Sequence, residues 1–463
     1  MIRFYQILLI GLSVLYNIYF SSSEQASFDD LVLMGWFGLF QFSLCIYSYT
    51  KNGYSIFSPY IIFLVCLYLF SFGQSFLYAF RISPERDLIG YMGITSNQIF
   101  RAQVDTLTML AFFHIGALAR QKQSRIVNTI SPFKHIIQQK RLKQIGWLLL
   151  VISIVPYYIE LIRNAILSIL FGYGTLYEQE VKIGISNIQS ILADYYIPSL
   201  LCLFIAYKDS KLPKVLIITT FLFSIFVILV TGGRSEAVIL IALLLIFINY
   251  FIKKIEKRHL FLLFVGGLWF MVLLSAIAHN RNESNRTLSL NPVGEENAIV
   301  DAIAEMGGTM FCLVKTQEIV PKDENYRFGS SYLLSFTTII PNMGFWDIHP
   351  AKKYSDLNEW LTDYLNLSYG SGFSMCAEAY VNFGNLGFLM MFVFGLFTAT
   401  FFGKFEPAIK VNNYASIAFI LIFFWFAIKV PRNSFVGIVR AIFYYALPIL
   451  WYTRGYILPK RRV

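Results

Sequence analysis

The residues best placed to do chemistry are arginines set against apolar sequence. Thr231-Gly232-Gly233-Arg234-Ser235-Glu236 joins two strongly apolar runs with no length left for an ordinary loop. Glycine lets a backbone turn tightly and approach a ligand. Arg234 would then open the following helix, where unpaired N–H groups and the helix dipole favour an anion. Its guanidinium fork also matches phosphate oxygens. The same residues suit a plain hairpin turn with Arg234 and Glu236 paired at the membrane interface. A second cluster, His279-Asn280-Arg281-Asn282-Glu283-Ser284-Asn285-Arg286, sits just past an apolar run. Arg281 and Arg286 could close over a phosphate or be solvated loop charges. A third, Lys429-Val430-Pro431-Arg432-Asn433-Ser434, is a short turn, and Arg440 lies about two helical turns beyond it, inside apolar sequence. A charge at that depth needs an anionic partner and is a functional candidate by default.

A carboxylate supplies the complementary chemistry. Gly370-Ser371-Gly372-Phe373-Ser374-Met375-Cys376-Ala377-Glu378-Ala379-Tyr380-Val381-Asn382-Phe383-Gly384 leads directly into an apolar run. Glu378 at a membrane edge could serve as general base for a hydroxyl. Equally, it could be the salt-bridge partner of one of the arginines. Tyr380 stands beside it, and His349, in Trp346-Asp347-Ile348-His349-Pro350, is either a surface residue or the lining of a polar groove with Lys352 and Lys353. Glu160, Arg163 and Asp194 also fall in or near apolar runs and read as internal structural pairs.

These groups need a scaffold, and composition names it. Of 463 residues, 57% belong to the AVILMFWYC set and 14% are charged, against about 25% charged in a soluble domain. Apolar runs long enough to span a bilayer occur near 4–20, 31–49, 56–80, 104–119, 145–170, 186–207, 214–231, 237–252, 260–278, 383–403, 413–430 and 436–453. The expected fold is therefore an all-α polytopic membrane protein with about 12 transmembrane helices. The 104–119 run is the weakest, because Asp105 and His114 interrupt it. The first run has no small-residue cleavage site and reads as a retained helix. Three sections are expected: 1–278 with helices one to nine and the Gly-Gly-Arg hairpin, 279–382 as a large outer loop with membrane-associated helices, and 383–463 with the last three helices. Within the loop, Ala298 to Val320 reads as one amphipathic helix on or dipping into the membrane.

Lysine and arginine orient the chain. With both termini cytoplasmic, the cytoplasmic segments hold 22 of the 38 basic residues and only Asp209, Glu256 and Glu406 among the acids. The net charge of +11 is thus an orientation signal, and a nucleic-acid partner is not implied. The arginine clusters and Glu378 fall on the outer face. No cytoplasmic loop is long enough to be a catalytic domain, no GxxxxGK[ST] motif points to ATP, and no His/Cys/Asp/Glu spacing suggests a metal or cofactor. The five scattered cysteines form no CxxC pair.

The C-terminal half resembles the Wzy-type O-antigen and oligosaccharide-repeat-unit polymerases of bacterial envelopes. The resemblance rests on Thr231 to Glu236, on Tyr332 through Pro341, and on Gly372-Phe373-Ser374 with Glu378-Ala379-Tyr380, Asn382-Phe383-Gly384 and Gly387. It implies a multispan glycosyltransferase of GT-C-like architecture in the bacterial inner membrane. Such an enzyme joins undecaprenyl-diphosphate-linked oligosaccharides, donor and acceptor, at the periplasmic face, in company with a chain-length regulator. A polyprenyl diphosphate brings its own leaving group, so arginines can take the place of a metal in stabilising it. Arg234, Arg281 and Arg440 would face the diphosphates, with Arg286 and Arg432 in support and Glu236 beside Arg234. Glu378 would be the base or orienting group, with Tyr380 and His349 nearby, and a single displacement would invert the anomeric carbon. An O-antigen ligase and a lipid-linked oligosaccharide flippase are the competing readings. A flippase would be expected to show internal duplication, and none is visible.

Overall fold

The computed structural model describes residues 2–23, 25–84, 86–124, 132–171, 187–231, 234–256, 258–259, 266, 298–340, 345–367 and 370–455. Every regular element among them is helical. In chain order they are α1 (Ile2–Ser22), α2 (Phe28–Lys51), α3 (Pro59–Ala79), α4 (Ser96–Ser124), α5 (Pro132–Phe171), α6 (Asn187–Ala193) and α7 (Tyr196–Ala206). There follow α8 (Lys211–Thr231), α9 (Arg234–Phe247), α10 (Ala298–Gly307), α11 (Met310–Ile319), α12 (Ser330–Ser335), α13 (Pro350–Ser355) and α14 (Leu357–Tyr364). The chain ends in α15 (Met375–Phe383), α16 (Gly387–Phe402), α17 (Phe405–Lys410), α18 (Tyr414–Ala427), α19 (Val436–Ala441) and α20 (Leu447–Arg454).

Among the described residues, 10 helices are long and apolar enough to cross a membrane, and Glu236–Ile252 is a shorter apolar helix. The chain is a multi-pass, all-helical membrane protein, as its composition requires. The expected span at 260–278 lies almost wholly outside the described residues. The chain divides into two compact units, one of residues 1–126, 300–406 and 426–440, the other of residues 127–299, 407–425 and 441–463.

In the first unit, buried polar groups knit the helices in place of a purely apolar core. As expected, the stretch around 104–119 is among the least apolar of these spans, yet α4 runs through it as one helix, and the two interrupting residues both find partners. His114 is enclosed between the Ser48 hydroxyl on its Nε2 and the Tyr60 hydroxyl on its Nδ1, both at 2.8 Å. Asp105 accepts a hydrogen bond from Gln317 at 2.6 Å. Gln41 donates to the Tyr68 hydroxyl (2.9 Å) and to the Leu107 carbonyl (3.0 Å), joining α2, α3 and α4. Such bonds satisfy groups that lipid cannot. α4 and α16 approach each other closely. A Cβ on Gly116 would run into the Phe392 carbonyl, and one on Gly395 into the Phe113 carbonyl, the small-residue contact typical of membrane helix pairs.

Ala298 to Val320 is not the single helix expected. It breaks at Gly307-Gly308, where Gly307 lies against the backbone of Gly73 and Gln74 in α3. That close approach is possible only without side chains, and it turns α11 into the protein, where nine of its ten residues are buried.

In the second unit, α5 spans 40 residues and takes Pro156 in its interior. Gly146 lets it approach Leu203 and Cys202 of α7. The Tyr158 and Tyr196 hydroxyls meet at 2.9 Å, and Phe204 stacks on Phe247 at 4.0 Å. Asp194 accepts from the Tyr445 hydroxyl at 3.0 Å. Glu160 lies within electrostatic range of Asp194, Glu236 and Arg163.

Candidate functional site

The first unit presents a cavity of 730 Å³ at the end where α3 hands over to α4. Its wall begins at the Met92-Gly93 turn, continues along Gln98 and Arg101 at the start of α4, and includes Lys315, Gln317 and Glu318 on α11. Asp323 and Tyr364 form its rim. Residues 98, 101 and 105 recur at three and four along α4 and so share one face. Arg101 Nη2 donates to the Tyr380 hydroxyl at 2.9 Å, with the guanidinium 5.9 Å from the centre of that ring. Tyr380 therefore backs the cavity wall without lining it. Lys315, only 5% exposed, donates to Glu318 (2.9 Å) and to the Met92 carbonyl (3.0 Å). Gln98 donates to the same Glu318 carboxylate at 2.7 Å. At the rim the Tyr364 hydroxyl donates to Asp323 at 3.0 Å. That bond raises the pKa of Tyr364 above the ordinary phenol value.

A clasp holds the rim in place. The Arg327 guanidinium lies over the Trp360 ring at 4.9 Å and donates to the Tyr354 carbonyl at 2.7 Å. The Trp360 indole N–H in turn reaches the Glu324 carboxylate at 3.0 Å. Burial lowers the pKa of Arg327, with Glu324 and Glu378 acting in the opposite sense; an arginine remains charged regardless.

Glu378 occupies the other side of α15. It is 1% exposed, and each carboxylate oxygen has a neutral donor. Ser331 Oγ reaches Oε1 at 2.8 Å, and the Phe435 N–H reaches Oε2 at 2.6 Å. Asn382 extends the chain, donating to Ser331 Oγ at 2.8 Å and accepting from the Gly329 N–H at 2.9 Å. A continuous hydrogen-bond network thus ties α15 to the start of α12 and to the turn before α19. Gly384, at φ +57°, ends α15 with the Tyr326 ring packed so closely against it that a Cβ would have to push the ring aside.

Of the remaining sequence candidates, Arg234 is the first residue of α9, the helix start expected for it; Gly232 and Gly233 lie outside the described residues, as do Arg281 and Arg286. Glu236 is exposed in the first turn of α9. Arg432 is exposed, while its carbonyl accepts from the Phe373 N–H at 3.2 Å. Arg440 is exposed near the end of α19. His349 is occupied locally. Its Nδ1 accepts from the Ala351 N–H (3.2 Å), which leaves the proton on Nε2 to reach the Ile340 carbonyl (3.1 Å). Both nitrogens thus cap and brace the short α13. Among the described residues there is no group of three or more His, Cys, Asp or Glu side chains that could hold a metal ion.

The cavity residues Gln98, Arg101, Lys315 and Glu318 escaped the sequence reading. Their signal was available in the 98/101/105 periodicity and in the Lys315–Glu318 spacing of three. No curated protein and no solved structure matches the chain. The family model of the O-antigen polysaccharide polymerase Wzy matches residues 1–454, so the chain belongs to that family.

Proposed function

We propose that the protein joins undecaprenyl-diphosphate-linked oligosaccharide repeats into O-antigen or a related surface polysaccharide at the periplasmic face of the bacterial inner membrane. The observation that carries this reading is the family match over residues 1–454. The excess of lysine and arginine in alternate loops supports cytoplasmic termini, and under that orientation the polar cavity faces outward.

In the proposed reaction a hydroxyl of the acceptor repeat attacks the anomeric carbon of the donor glycan. The bond from that carbon to the diphosphate oxygen breaks, a new glycosidic bond forms, and undecaprenyl diphosphate departs as the hydroxyl proton is released. Charge builds on the leaving diphosphate, where fixed guanidinium groups act most strongly. Arg234, Arg281 and Arg440 are assigned to it, with Arg286 and Arg432 in support. Glu378 is assigned a positioning part, because its oxygens are filled by Ser331 and Phe435. A single displacement, independent of a metal ion, inverts the donor configuration, so the linkage in the polymer should have the opposite anomeric configuration to the lipid-linked repeat. Comparing the two by NMR checks this, and retention would exclude a single displacement.

The primary test is the surface-glycan ladder of a strain lacking the gene. The long ladder is expected to collapse to core plus one repeat, and Arg234→Ala is expected not to restore it. Core without any repeat, beside long polymer on the lipid carrier, would mean a ligase instead. Carrier-linked repeats trapped on the cytoplasmic face would mean a transporter.

A further inference from the structure

We infer that the cavity between α4, α11 and α14 is a subsite for the sugar rings of the glycan and not for its diphosphate. Its volume of 730 Å³ lies within the range of about 300–1,000 Å³ found for small-molecule sites. Its charges argue against a phosphate. Arg101, Lys315 and Lys322 line it together with Glu318 and Asp323, so the cations are almost balanced before any ligand arrives. Asp105 lies behind the wall, holding Gln317 at 2.6 Å and within electrostatic range of Arg101. Lys315 spends its donors on Glu318 and the Met92 carbonyl. A diphosphate carries at least two negative charges and would meet carboxylates as readily as cations.

Sugar rings ask for something different: fixed donors and acceptors for hydroxyls, and apolar surface for the C–H faces. The cavity has both. Amides and carboxylates are held in place by one another, from Gln98 on Glu318 to Tyr364 on Asp323. Val314, Ile319, Pro321 and Leu365 supply apolar wall between them. A paired network of this kind is ordered in advance, so binding loses little side-chain freedom. Sugar held here would keep the growing glycan aligned while the diphosphate end reacts elsewhere.

The test uses the whole protein in detergent. The probe is the source organism's own surface polysaccharide after mild acid has removed its lipid, so that no diphosphate is present. Inorganic pyrophosphate is the competitor. Wild type is expected to bind the glycan, and excess pyrophosphate is expected to leave it bound. The double variant Asp323→Ala/Tyr364→Ala, altered only at the exposed rim, should bind at least tenfold more weakly. Leu365→Trp, which narrows the cavity without removing a hydrogen bond, should weaken binding similarly. Displacement by pyrophosphate, or equal binding by wild type and both variants, overturns the inference. It rests on the polymerase reading, and the two fail apart. A deletion strain that keeps its long ladder sinks the polymerase reading and this inference with it. A collapsed ladder that either variant restores in full, with glycan binding unchanged, sinks the subsite alone.

Discussion

Glu378→Ala is expected to remove the folded protein, whereas Glu378→Gln is expected to keep both the fold and most of the polymer. The alanine leaves the buried Ser331 hydroxyl and the part-buried Phe435 N–H without their acceptor. Each stranded buried donor costs about 1–3 kcal/mol, and together about 2–6 kcal/mol. That is a large part of the 5–15 kcal/mol typical of a domain. The loss is worse than additive in a chain of polarised bonds, since Asn382 donates to the same Ser331 and in turn holds the Gly329 N–H. Glutamine keeps one oxygen for Phe435 and turns its amide N–H toward Ser331, whose hydroxyl can rotate to accept. Size-exclusion profiles and thermal unfolding in detergent should therefore rank glutamate above glutamine and both far above alanine, with the glycan ladder following the same order. The two roles open to this residue predict different things. A general base cannot be replaced by an amide, so well-folded Glu378→Gln protein with no ladder would establish Glu378 as the base and end the positioning assignment.

How much of this was legible before the structure depends on the range of the interaction. The spans were, because lipid imposes length and composition on each helix separately. At 104–119 the weak span was legible, but what makes it tolerable was not. Asp105 and His114 look like interruptions in one dimension, and only partners as remote as Gln317, Ser48 and Tyr60 make them tolerable. Ala298 to Val320 reads as one amphipathic helix until Gly73 is found against Gly307. Arg234 carries a local signal, a glycine pair before a helix start, and α9 does begin there. Arg101 carries only a weak local signal, since its significance comes from Tyr380 and from a cavity wall built by α11. His349 shows the converse: histidine invites a functional reading, but capping the helix behind it is chemistry enough to occupy both nitrogens.

The crossing of α4 on α16 governs the cavity from a distance, and Gly395→Leu is expected to abolish it. A Cβ at 395 meets the Phe113 carbonyl and one at 116 meets the Phe392 carbonyl. Both obstacles are backbone, which cannot rotate aside as a side chain can. The helices must separate, and overpacking of this kind costs about 1–3 kcal/mol or more. Even Gly395→Ala should lower the unfolding temperature clearly, while Gly11→Ala, whose Cβ meets nothing within 4 Å, should be neutral or slightly stabilising. The functional effect is expected to exceed the loss of stability. Gln98 lies 18 residues before Gly116 on the same helix, about 27 Å along its axis at about 1.5 Å per residue. A tilt of about 3° at the crossing therefore moves Gln98 by about 1.4 Å, enough to break its bond to Glu318, and displacements of about 1 Å can cost about 100-fold in rate. Gly395→Ala protein that survives purification should accordingly bind delipidated glycan poorly and give a faint ladder. Unchanged melting and glycan binding in that variant would show that α4 and α16 do not approach so closely and that the cavity is set by other contacts.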